Sequence, residues 1–237
     1  MEFNKPNIHQ KNTFMAQYCQ NDRARDTIVD NFKISIESYE QLLPGQVVLS
    51  YGTGNREIHT AFVIFNVDDI ENKIRYQPVF SEKIGRRLAK KAGLKLPRKI
   101  SVLSSAGTSH GSGTNGTSIP RSEDNHQLLL LIRFARAMML LHEKEPKPMY
   151  DPFRRIYKYL DSHPRCKVFP KEIKAINTAI QGHLHSHENR QNERFNNLQD
   201  FIAYLHENYP NSHFKKATFD VLRNIFLDHY PNETLYF

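Results

Sequence analysis

The feature that most restricts the fold lies near the middle of the chain: Leu128, Leu129, Leu130, Leu131 and Ile132, followed by Phe134, Ala135, Met138, Met139, Leu140 and Leu141. Apolar residues at nearly every position, rather than along one stripe, predict a helix over about 126–143 that is buried on most sides. Pro120 and the run Arg121-Ser122-Glu123-Asp124-Asn125 mark its start, with acids near the positive end of the helix dipole. No run of about 18 apolar residues occurs, so a membrane span is not expected. The opening Met1-Glu2-Phe3-Asn4-Lys5-Pro6 lacks the apolar stretch of a cleaved signal peptide, which favours a cytoplasmic setting. Only Cys19 and Cys166 are present, too few for a disulfide framework or a cysteine-rich zinc site.

Ahead of that helix the pattern changes from helical to extended. Residues 13–32 carry Phe14, Tyr18, Ile28, Val29 and Phe32 at helical spacing. Pro44-Gly45 supplies a turn before a β-branched run over 46–51, and Gly52-Thr53-Gly54-Asn55 closes that run. The next stretch, 58–65, is apolar on both faces, as in an interior strand. Asp68, Asp69 and Asn72 then mark a turn, and 73–80 returns as a partner strand that stops near Pro78. From Ser81 a basic helix places Ile84, Leu88 and Ala92 on one face, with Gly93 at its end. A short strand is expected over 100–103. Residues 104–118, rich in Gly, Ser and Thr, are expected to be a mobile loop, without the GxxxxGK[ST] order of a phosphate cradle. Beyond Pro146, Pro148 and Pro152 the chain reads as polar helices, with breaks at Pro164, near Gly182 and at Pro210. The expected class is α+β: a central mixed or antiparallel sheet with a buried helix over 1–145, and a helical extension over 146–237.

A histidine beginning an apolar strand, a hairpin, a polar residue before proline on the return strand, a helix, a strand, a loop and a buried helix follow one another in a recognisable order. This order resembles the cysteine enzymes typified by adenovirus protease, the ubiquitin-like-protein proteases and the YopJ-type acetyltransferases. The resemblance implies that His59 takes the place of the thiol-activating histidine and Gln77 that of the acidic residue orienting it. It also places the nucleophile at the start of the buried helix, where Asn125-His126-Gln127-Leu128 holds His126 and no cysteine. An amide at position 77 can orient an imidazole, but it does not stabilise imidazolium as a carboxylate does. The resemblance thus implies a protein-interaction factor with a degenerate active site. By analogy with secreted pathogen effectors, it further implies delivery into a host cell without a cleaved signal.

Leu43-Pro44-Gly45-Gln46-Val47-Val48-Leu49 followed by His59-Thr60-Ala61-Phe62-Val63-Ile64 is also similar to papain-like peptidases of the NlpC and CHAP type, whose cysteine lies upstream. That second resemblance implies an active cysteine hydrolase or acyltransferase using Cys19 and His59. Cys166, beside Pro164 and several basic residues, is the weaker thiol candidate.

The formal charge of +8 and pI near 9.4 favour acidic partners. Eight basic residues between Lys83 and Lys99 face the single acid Glu82 over 81–99. They form either a solvated helix face or an anion site, with Arg86, Arg87, Lys90 and Lys91 at its centre. The YopJ-type resemblance would make the ligand an inositol phosphate. Nucleic acid is a further alternative for this segment, which contains no aromatic residue to stack on bases. His183, His185 and His187 alternate in one polar segment, and they and His110 are read as solvated surface rather than as a metal site.

Overall fold

The computed structural model describes residues 2–51, 56–104, 121–141, 143–186 and 195–237. It is an α+β protein whose chain divides into two compact units: Met1–Ser101 with Glu143–Pro148, and Val102–His142 with Met149–Phe237. Among the described residues, no helix is long and apolar enough to cross a membrane.

The first unit is built on an antiparallel sheet. In chain order its elements are α1 (Ile8–Tyr18), α2 (Asp22–Asn31), β1 (Lys33–Gln41), β2 (Val48–Leu49), β3 (Glu57–Ile58), β4 (Ala61–Asp69), β5 (Ile74–Tyr76), β6 (Val79–Ser81) and α3 (Glu82–Lys91). β4 is the central strand, with β1 on one side and β5 and β6 in succession on the other. β2 and β3 pair separately. From Ala61 to Asp68 every residue of β4 is buried, which is why its sequence is apolar in a run instead of alternating. Ala61, Val63, Phe65 and Val67 share a core with Phe14 of α1, Ile28 of α2 and Leu88 of α3. α3 rests on that core through Gly85, where a β-carbon would come within 2.5 Å of Val63 Cγ2 and 2.7 Å of Val63 Cβ.

Several expectations are revised by local chemistry. The segment 13–32 is two helices, because Asn21 leaves helical geometry and its side chain accepts a hydrogen bond from the Ala24 amide, starting α2 afresh. β1 occupies a segment that carried no expectation, although Ile34 and Ile36 alternate there and a bulge then follows between Ile36 and Ser38. The run over 46–51 contributes only two paired residues. β4 begins at Ala61, so His59 lies in the turn before the strand. Asp68 and Asp69 still belong to β4, and the turn follows, with Lys73 in the left-handed region and the Asn72 amide donating to Asp69 Oδ1. Pro78, without an amide donor, splits the return strand into β5 and β6. The short strand expected over 100–103 reduces to two isolated bridges, Ile100 with Glu40 and Leu103 with Phe214. Apart from Ser104, the Gly-rich stretch over 104–118 lies outside the described residues.

The second unit is helical: α4 (Glu123–Leu140), α5 (Asp151–Ser162), α6 (Pro170–Leu184), α7 (Leu198–Asn208) and α8 (Asp220–His229). α4 packs against all four of the others, which explains its nearly continuous apolar sequence. A buried polar residue within it also has a structural task. Gln127 Oε1 accepts from the amides of Val221 and Leu222 at 3.1 and 3.4 Å, while its amide nitrogen donates to Glu123. It thereby satisfies the first turn of α8, whose own N-cap residue, Phe219, has no side-chain acceptor. α5 and α7 stop before Pro164 and Pro210, as expected. α6 ends at Leu184, two residues past Gly182, in keeping with the break expected near that glycine.

Gly85→Ala is expected to destabilise the protein. Forcing a methyl group against Val63 costs about 1–3 kcal/mol of overpacking, against a gain of roughly 1 kcal/mol in helix propensity. The denaturation midpoint should fall, and Val63→Ala in the same chain should restore part of the loss. A Gly85→Ala variant as stable as the parent would contradict the close approach of α3 to β4.

Candidate functional site

Cys19 closes the C-terminus of α1. Its residue is fully buried (0% exposed) within the cluster that includes Phe14, Ile28 and Val63. Burial pushes the thiol up to about 12, with the nearby Arg25 guanidinium opposing the rise. Arg25 Nη2 donates to the Cys19 carbonyl at 2.8 Å, so the cation that could favour a thiolate also fixes the turn between α1 and α2. Burial likewise holds the Tyr51 hydroxyl well above its ordinary value. These groups are protonated at neutral pH, and the sulfur packs as a small apolar side chain.

His59 stands in the exposed turn before β4, where its Nε2 lies 3.4 Å from Glu57 Oε2. Gln77 sits between β5 and β6 and donates from Nε2 to Asn66 Oδ1 at 2.9 Å. Asn66 in turn donates to Glu37 Oε2 at 2.8 Å, giving a side-chain chain from β1 across β4 to the return strand. Gln77 is therefore level with Asn66, and His59 precedes the start of the strand. The five steps from Ala61 to Asn66 alone separate the two by roughly 16 Å of extended chain. The return strand pairs antiparallel with β4 as expected, but His59 lies before β4 and Gln77 between β5 and β6, and the expected pairing of His59 with Gln77 is not made. His126 belongs to the second unit and is exposed on the first turn of α4. The residues buried on either side of it, Asn125 and Gln127, carry structural hydrogen bonds instead.

The basic segment is the largest electrostatic feature of the first unit, and most of its central charge is already matched. Asp22, Asp26 and Asp30 are four residues apart on α2 and so share one helix face. Arg87 reaches Asp22 at 2.5 Å and Lys91 reaches Asp30 at 2.7 Å. Arg87 Nε and Asp26 Oδ1 are 3.2 Å apart, an ionic contact without hydrogen-bond geometry. On α3 itself Glu82 gathers Arg86, Lys99 and the Tyr39 hydroxyl. Burial works against the Glu82 carboxylate, yet hydrogen bonds from Tyr39, Arg86 and Lys99 hold it down to about 2. Of the four residues expected to form an anion site, Arg86, Arg87 and Lys91 have acidic partners within the fold, and Lys90 is exposed. The spacing of the three aspartates was visible in the sequence, but nothing there showed that α2 lies beside α3.

His183 and His185 fall at the end of α6, and His187 and His110 lie outside the described residues. Among the described residues, no group of three His, Cys, Asp or Glu is placed to hold a metal ion. Cys166 is half-buried, and its sulfur accepts from Asn125 Nδ2 at 3.4 Å. No family model matches the chain, and comparisons with curated proteins and with solved structures found no match.

Two outcomes follow from the charge pairing. Because Glu82 has a depressed pKa in the folded state, its contribution to stability is full above about pH 4.5 and is lost as pH falls toward 2. Denaturation of Glu82→Gln should therefore show a deficit at pH 7 that shrinks toward pH 2; a deficit independent of pH would contradict the assignment. Inositol hexakisphosphate in excess at low salt should raise the melting temperature of the parent less than that of the Asp22→Asn, Asp26→Asn, Asp30→Asn variant, whose cations are released. Equal shifts would mean that the aspartates do not occupy those cations.

Proposed function

We propose that this chain is a protein-interaction factor that acts by binding, on a scaffold whose hairpin resembles that of cysteine enzymes but whose thiol serves packing. The burial of Cys19 carries this reading. A thiol held at about 12 is ionised to about one part in 10⁵ at pH 7, and it is the thiolate that attacks an acyl group. The separation of His59 from Gln77 and the exposure of His59 agree with it, since a working pair of imidazole and orienting group needs hydrogen-bond reach. The alternative, a hydrolase or acyltransferase using Cys19 and His59, would need the α1–α2 turn to open and deliver the sulfur to an exposed imidazole.

Thiol alkylation of the folded chain separates the two. With iodoacetamide at pH 7, Cys19 should remain unmodified until denaturant unfolds the first unit, and His59→Ala should not change its rate. Rapid modification of Cys19 near pH 6, abolished by His59→Ala, would establish the hydrolase reading instead.

A further inference from the structure

The second unit carries a surface of different character from α3. From Tyr150 to Lys174 the chain has seven Lys and Arg against three acids, and the acids have internal partners. Asp151 binds Arg154 and Arg155, Asp161 binds Arg121, and Glu172 accepts from the Phe169 amide. Arg165, Lys167 and Lys171 are exposed, and among the described residues they form no ion pair. Two large rings stand beside them in sequence and are also open to solvent, Tyr159 (43% exposed) and Phe169 (47%). Tyr159 stacks on His163, one helical turn further on, with centroids 4.5 Å apart and planes 26° from parallel. Lys171 lies over the Phe169 ring.

The linker that carries this surface is held from beneath. Ser122 donates from its amide to the Pro164 carbonyl and from its hydroxyl to the Cys166 carbonyl. Asp124 accepts from the Val168 amide at 3.0 Å, and Asn125 donates to the His163 carbonyl. Val168 is therefore buried while Arg165, Lys167 and Phe169, each two residues from the next, point outward. Arg165 lies in a turn closed by the Cys166 amide donating to the His163 carbonyl at 3.0 Å, and beyond it Lys167 and Phe169 are alternate residues, which in extended chain are spaced by about 6.5 Å, comparable with successive nucleotides of an extended single strand.

From this arrangement we infer that the α5–α6 surface, with Tyr159, His163, Arg165, Lys167, Phe169 and Lys171, binds a single-stranded nucleic acid. Cations matched to phosphates and flat rings open to bases are the two components of such a site, and a fixed backbone lowers the ordering cost of binding. The rings favour a single strand over a duplex, whose bases are already stacked on one another. The basic segment of α3 also leaves Lys83, Lys90 and Lys95 exposed and without an ion pair among the described residues, but it contains no aromatic ring to set beside them. This inference is independent of the thiol reading, since alkylation of Cys19 leaves it untouched.

The test is fluorescence anisotropy of the full chain with a labelled twelve-nucleotide single strand, as RNA and as DNA, and with the corresponding duplex, at several salt concentrations. Binding should favour at least one of the single strands over the duplex and weaken with salt. Tyr159→Ala with Phe169→Ala should reduce single-strand affinity by roughly tenfold or more. Arg165→Gln with Lys167→Gln should lower the slope of log affinity against log salt by about 0.7 for each phosphate that is no longer neutralised. Lys83→Gln with Lys90→Gln on α3 should change neither. The charge variant decides the matter if the aromatic variant melts early. Absence of binding at low salt, equal affinity for duplex, or full affinity in the folded aromatic variant would overturn the inference. Competition by polyglutamate at equal charge would overturn it in favour of an acidic protein partner.

Discussion

The burial of β4 from Ala61 to Asp68 is the constraint from which the first unit follows. A strand with no exposed face needs neighbours on both edges and cover above and below. The edges are β1 and the pair β5 and β6, and one layer of cover comes from α1, α2 and α3. Gly85 sets how closely α3 approaches, because any side chain there would occupy the space of Val63. The basic charge of α3 is then brought beside the aspartates of α2, and Cys19, in the turn from α1 to α2, is sealed into the same core.

This shared origin changes the meaning of features that looked functional in isolation. A run of basic residues has the composition of a polyanion site, but its surface potential depends on which acids face it across the next helix. Arg87 and Lys91 are answered by Asp22 and Asp30, and Glu82 draws Arg86 and Lys99 inward. The reverse holds on the second unit, where the acids near Arg165 and Lys167 are engaged by other residues and the cations remain exposed. Total charge in a segment is therefore a poor measure of anion affinity, and unmatched charge next to open aromatic rings is a better one.

Buried and half-buried amides show the same division between chemistry and placement. Gln77, Asn66 and Gln127 are each capable of orienting a catalytic group, yet their partners in the fold are other structural groups. Gln127 in particular supplies acceptors to the start of α8, a role that the sequence of α8 itself leaves open. An unsatisfied buried amide would cost about 1–3 kcal/mol, so these hydrogen bonds have a clear structural reason without reference to a substrate.

The α+β class, the central apolar strand, the basic helix ending at Gly93 and the buried α4 were all legible in the sequence. Each depends on periodicity or on a residue with a narrow backbone preference, and both are local properties. The split of 13–32 into two helices was also locally encoded, in the capping side chain of Asn21, though apolar spacing concealed it. Tertiary structure alone decided that His59 and Gln77 lie at different levels of β4, that Cys19 is enclosed, and that the aspartates of α2 meet the cations of α3. It also decided that Arg165, Lys167 and Phe169 face outward from a linker pinned to α4. The reason is physical: desolvation, ion pairing and hydrogen-bond reach depend on atoms far apart in the chain, and no spacing rule within one segment contains them.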